Sequence, residues 1–145
     1  MLTGPFVVDA SIFLNAFIPA ERGSQTSKQV LDRLQANATP LIAPTLILPE
    51  IAATISRSQD NPELARQFAA SLSRLPHLLL IVLDKQLAQQ ALACAAQFRL
   101  RGSDAVYAAV AQRFACPMVT LDKEQHDRLA VVIKTYYPQQ VLEKL

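Results

Sequence analysis

Short apolar runs alternate with amphipathic stretches along this chain. Phe6-Val7-Val8, Leu41-Ile42-Ala43, His77 to Leu83 and Pro117 to Leu121 read as buried strands, with Val131 to Lys134 as a fifth. Such uninterrupted apolar runs suit strands covered on both faces. Between them, residues 24–37 carry Val30, Leu31 and Leu34 at helical spacing, with Ser24 as the expected N-cap. Helices are also predicted over residues 12–17, 45–58, 62–74, 85–98, 104–115 and 123–129. Asn61 and Pro62 stand at the cap and first position of the helix over residues 62–74. Pro49 falls near the start of its helix, where proline costs least. The tail from Pro138 is polar. Strands alternating with helices predict a parallel central sheet of four to five strands, covered on both sides, in one domain over residues 1–145.

Composition agrees with a packed globule. Of 145 residues, 51% are apolar and 18% charged, which excludes a disordered segment. The net charge of +2 gives no broad basic footprint for nucleic acid. Cys94 and Cys116 have no CxxC spacing and no nearby His or Cys partner, so they read as buried thiols in a reducing compartment. No basic leader precedes the first apolar run, and no apolar run is long enough to span a bilayer. A cytoplasmic location is expected.

Against this apolar background, four acids stand alone: Asp9, Glu50, Asp104 and Asp122. A charge inside or beside an apolar run is costly unless compensated. Carboxylates gathered together compensate one another through a hard divalent cation, which prefers oxygen ligands. Each acid also has a structural reading. Asp9 ends the first strand, where ligands bind in open α/β folds, yet an N-cap for residues 12–17 fits equally. Glu50 is the only charge between Pro44 and Arg57, and a solvated helix face would carry more polar residues. Asp104 lies in a helix that Ser103 is placed to cap, so its structural role would be a favourable first-turn charge. Asp122 has Gln125 three residues on, a capping-box spacing. Asp84 also follows a strand and precedes a helix, and spacing does not rank Asp122 above it. No glycine-rich phosphate loop exists among three glycines, and neither His77 nor His126 has a partner at ligand or triad spacing.

The segments Phe6-Val7-Val8-Asp9-Ala10-Ser11, Leu48-Pro49-Glu50-Ile51-Ala52, Leu100 to Tyr107 and Val119-Thr120-Leu121-Asp122-Lys123-Glu124, in this order, resemble the PIN-domain family. Within that family the chain most resembles VapC-type toxins of toxin–antitoxin modules. The resemblance implies a Rossmann-like α/β/α sandwich and a Mg²⁺- or Mn²⁺-dependent endoribonuclease. It assigns Asp9, Glu50, Asp104 and Asp122 to the catalytic metal site, with Ser11 and Ser103 supporting them. Asp84 falls where the family has no ligand. Arg57, Arg99, Arg101 and Lys123 lie near the acids in sequence and are candidate phosphate contacts. The implied partners are an RNA substrate, a cognate antitoxin and a second copy of the chain, with DNA reached only through the antitoxin. Two other functions compete: a housekeeping PIN nuclease of RNA processing, and a catalytically silent PIN-like binding module whose acids merely cap helices.

Overall fold

A computed structural model describes residues 3–145. Five short strands form one fully parallel sheet: β1 (Phe6–Val8), β2 (Leu41–Pro44), β3 (Leu78–Ile81), β4 (Met118–Val119) and β5 (Thr135–Tyr136). Their order across the sheet is β3-β2-β1-β4-β5. Successive strands run from β1 outward to β2 and β3, and then the chain returns to the other side of β1 for β4 and β5. The order therefore reverses at β1, and the crevice at the carboxyl ends of β1 and β4 is the topological switch point.

Side chains alternate across this sheet, as strand geometry requires. Phe6, Val8, Ala43 and Val119 face one core, covered by α1 (Ala10–Ala16), α2 (Ser24–Ala36), α3 (Ile47–Gln59), α4 (Pro62–Ser73) and α8 (Pro138–Lys144). Val7, Ile42 and Met118 face the other, covered by α5 (Lys85–Phe98), α6 (Gly102–Arg113) and α7 (Lys123–Leu129). Helix α6 is buried almost all round, from Asp104 to Ala111, because it crosses beneath both β1 and β2. The expected α/β/α sandwich is thus present, with five strands.

Several boundaries differ from expectation. The fifth strand is Thr135–Tyr136, not residues 131–134. The amides of Val132 and Ile133 are instead captured by the Leu129 carbonyl at the end of α7, both at 2.9 Å, and their side chains pack on the second core. The tail from Pro138 is helical, since Pro138 suits a first turn and Val141 is fully buried. Strand β3 is shorter than the apolar run from His77 to Leu83, and Val82 and Leu83 are exposed beyond the edge of the sheet. Ser24 does not cap α2. Gly23 does, at φ 82°, a left-handed conformation that glycine adopts without strain. Asn61 caps α4 as expected, accepting from the Leu64 amide at 3.0 Å. Ser103 is no cap either: α6 begins at Gly102 and places Ser103 inside its first turn.

Candidate functional site

The switch-point crevice receives acids from four segments distant in sequence. Strand β1 delivers Asp9, which accepts the Ser11 amide at 3.0 Å and so caps α1. The structural reading of Asp9 holds, and the same capping carboxylate lines the cleft. Helix α3 presents Glu50 and α6 presents Asp104 from its first turn. The turn after β4 presents Asp122, which caps α7 by accepting the Gln125 amide at 3.1 Å. These four acids line one cleft of about 240 Å³, with Ser11 and Ser103.

Asp9 and Asp104 are buried, at 7% and 4% exposure, and burying two carboxylates is costly unless each is paired or hydrogen-bonded. Their compensation comes from side chains on α7. The Gln125 amide nitrogen donates to Asp9 Oδ1 and to Asp104 Oδ1, each at 3.2 Å. Its carbonyl accepts the Thr120 hydroxyl at 2.6 Å, which fixes the amide's orientation: a flipped amide would aim its oxygen at two carboxylates. Arg128 Nε donates to Asp104 Oδ2 at 2.9 Å. The strand end is tied in as well, since Ser11 Oγ accepts the Leu121 amide at 3.1 Å and Thr120 Oγ1 accepts the Asp122 amide at 3.1 Å.

Glu50 is half-buried and accepts the phenol of Tyr107 at 2.8 Å. Burial raises its carboxyl above the ordinary 4.5, the Tyr107 bond lowers it, and the nearby charges of Asp9 and Asp104 raise it further. Burial, followed by the charges of Asp9 and Glu50, likewise holds the Tyr107 phenol well above its usual value. Glu50 therefore feels the charges of both buried aspartates, in a cleft that holds four carboxylates beside the guanidinium groups of Arg101 and Arg128.

Not every candidate from the sequence reaches this cleft. Asp84 caps α5 through the Leu87 amide at 2.8 Å, beyond the edge strand β3, and does not line it. Geometry thus separates Asp84 from Asp122, although their local sequences look alike. Arg101 lines the cleft and reaches Glu124 at 3.6 Å. Arg57 and Arg99 are exposed and lie off it, and Lys123 is exposed and paired with Asp127. Sequence reasoning missed Tyr107, Thr120 and Arg128, and read Gln125 only as a capping residue. One signal was present: Gln125 and Arg128 stand three apart on α7, hence on one face.

The donor chemistry fits a hard divalent cation, because every candidate ligand is a carboxylate oxygen. The arrangement is nonetheless not closed around a point. Among the described residues, no three His, Cys, Asp or Glu side chains are grouped to hold a metal ion. The Gln125 amide and Arg128 take the inward oxygens of Asp9 and Asp104 instead.

Known structures share this architecture. A toxin–antitoxin complex from Klebsiella pneumoniae aligns over 92% of this chain and 98% of its own, at 18% identity and a TM-score of 0.65. VapC20 of Mycobacterium tuberculosis aligns over 89% of this chain and 96% of its own, at 19% identity and a TM-score of 0.71. VapBC2 from Rickettsia felis, in complex with a promoter DNA fragment, aligns over 91% and 97%, at 12% identity and a TM-score of 0.69. At such identities the likeness establishes the fold. No curated protein sequence matches the chain. The PIN-domain family model matches residues 6–132, which takes in all four cleft acids and both strands that flank the switch point, and the chain belongs to the PIN-domain family.

Proposed function

We propose that this chain is a divalent-metal-dependent endoribonuclease and the toxin of a toxin–antitoxin pair. The observation that carries the proposal is the meeting of Asp9, Glu50, Asp104 and Asp122 in one cleft at the switch point of a PIN fold. A bound Mg²⁺ or Mn²⁺ would supply water activation and neutralise the charge that develops on a phosphodiester. Asp9 and Asp104, rigidly placed by β1 and α6, would hold the ion. Glu50 would complete the negative pocket, positioned by Tyr107. Asp122, exposed at the rim, would contribute a carboxylate from the side of α7. Arg101 is the candidate for a phosphate contact, since it lines the cleft and its side chain is 70% exposed. Such a contact would position RNA without reading its sequence.

The toxin role rests on the fold neighbours, which include toxin–antitoxin complexes and a toxin described as cleaving the sarcin–ricin loop. RNA as substrate, an antitoxin as protein partner and a homodimer as assembly belong to the same reading. Among the described residues no helix is long and apolar enough to cross a membrane, and a cytoplasmic site of action is part of the proposal.

A second reading has its own observation. Asp9 and Asp122 cap helices, and Asp9 and Asp104 are satisfied by Gln125 and Arg128, as they would be in a silent binding module. Induced expression of the wild type and of Asp104→Asn, followed by sequencing of cellular RNA ends, separates the two. A nuclease leaves new ends at defined positions with the wild type only. Identical end profiles in both cultures would favour the silent module.

A further inference from the structure

We infer that Gln125 is a built-in competitor for the divalent cation, a side chain that bridges the two buried aspartates until an ion displaces it. The inference deepens the proposed metal site and rests on it. One amide nitrogen, donating both of its hydrogens, joins Asp9 Oδ1 and Asp104 Oδ1 at 3.2 Å each. Magnesium sits about 2.0–2.1 Å from its oxygen ligands. An amide nitrogen interposed at hydrogen-bond distance from both oxygens occupies the space in which an ion would bridge them. It also presents hydrogens, which repel a cation.

The position is neither accidental nor loosely held. Gln125 is 5% exposed, and its carbonyl is locked by the Thr120 hydroxyl at 2.6 Å, with Thr120 itself fully buried. Its backbone amide is the one that Asp122 caps, so the same residue is anchored at both ends. Arg128 completes the arrangement by taking Asp104 Oδ2. The outcome is a pair of buried carboxylates kept satisfied by the chain's own donors. An ion entering at these oxygens must break two hydrogen bonds to charged acceptors, a cost that weakens its apparent affinity. Gln125 is thus a positioning residue that sets metal affinity without being a ligand.

The test is Mn²⁺ calorimetry on the wild type, Gln125→Ala and the near-isosteric Gln125→Glu, with thermal melts in EDTA and in Mn²⁺. Gln125→Ala should bind Mn²⁺ at least about tenfold more tightly than wild type, the gain expected when even one of the two hydrogen bonds to charged acceptors need no longer be broken. Its metal-free melting temperature should fall, because the two aspartates lose their shared donor. Gln125→Glu should bind more tightly still, since it adds an oxygen ligand, and it carries the test if the alanine variant does not fold. Wild-type binding with equal or weaker affinity in the variants would overturn the competitor role and leave the metal site standing. No Mn²⁺ binding in any of the three proteins would overturn the metal site itself, and this inference with it.

Discussion

Tyr107 and Glu50 meet across 2.8 Å although they lie 57 residues apart, the phenol donating to the carboxylate Oε1. Tyr107 is fully buried within α6 and Glu50 lines the cleft from α3, so this bond fixes one acid of the site against the core beneath the sheet. Replacing Tyr107 by Phe removes a charge-assisted bond with little change of shape. The metal-free protein should lose about 1–2 kcal/mol in denaturant unfolding. The loss should be larger once pH is high enough to ionise Glu50 than in acid, because the Tyr107 bond favours the charged carboxylate.

The same residue predicts a pH dependence. Burial, with the charges of Asp9 and Asp104, holds Glu50 above its ordinary 4.5 despite the Tyr107 bond. In the window above 4.5 the folded chain therefore binds more protons than the unfolded one, and Glu50's contribution to stability falls as pH rises through that window. Glu50→Gln should flatten this slope and leave the metal-free protein at least as stable at neutral pH. Melts in EDTA across the window measure it. A strongly destabilised Glu50→Gln protein would show that the Tyr107 bond outweighs the repulsion from Asp9 and Asp104 at Glu50.

Asp9→Asn should keep the fold and lose the metal. Asparagine caps helices as well as aspartate, so the Ser11 amide remains satisfied and α1 stays in place. The hard anionic oxygen is gone. Circular dichroism should match the wild type, while Mn²⁺ affinity drops beyond calorimetric detection.

Asp84→Asn and Asp122→Asn form a matched pair. Both aspartates cap a helix by accepting an amide three residues on, at 2.8 and 3.1 Å, and asparagine preserves both caps. Only Asp122 lines the cleft. RNA cleavage should fall strongly in Asp122→Asn and stay within twofold of wild type in Asp84→Asn. Equal losses would show that general acidity, and not the cleft, governs activity.

Much of the frame could be read from the residues. Strands β1 and β2 were legible because both their faces are buried, which forces uninterrupted apolar runs at Phe6–Val8 and Leu41–Ala43. Strand β5 was not, because it is two residues long and only partly buried while the more apolar Val132 and Ile133 cap off α7. Helix α8 was hidden in a polar tail, since it buries only Pro138 and Val141. The acids stood out as charges in apolar surroundings. Gln125 did not, because a neutral side chain gives no sign of strain in sequence, and its role appears only when Asp9 and Asp104 are brought to it from elsewhere in the chain.

The hidden helix gives a stability prediction of its own. Val141 is fully buried against the first core, and Val141→Ala should cost about 2 kcal/mol from lost transfer energy and a residual cavity. Denaturant melts should show this loss with Mn²⁺ affinity unchanged, since α8 does not line the cleft.

The most direct measurement is cleavage of a defined RNA by the purified chain in Mn²⁺ and in EDTA, with Asp104→Asn beside the wild type. Asp104 is buried, belongs to the cleft and caps nothing, so its substitution isolates the site from helix formation. Discrete products are expected from the wild type in Mn²⁺ alone, and none from a folded Asp104→Asn protein under either condition. Cleavage that persists undiminished in EDTA, or in the Asp104→Asn protein, would contradict a metal-dependent nuclease built on these acids.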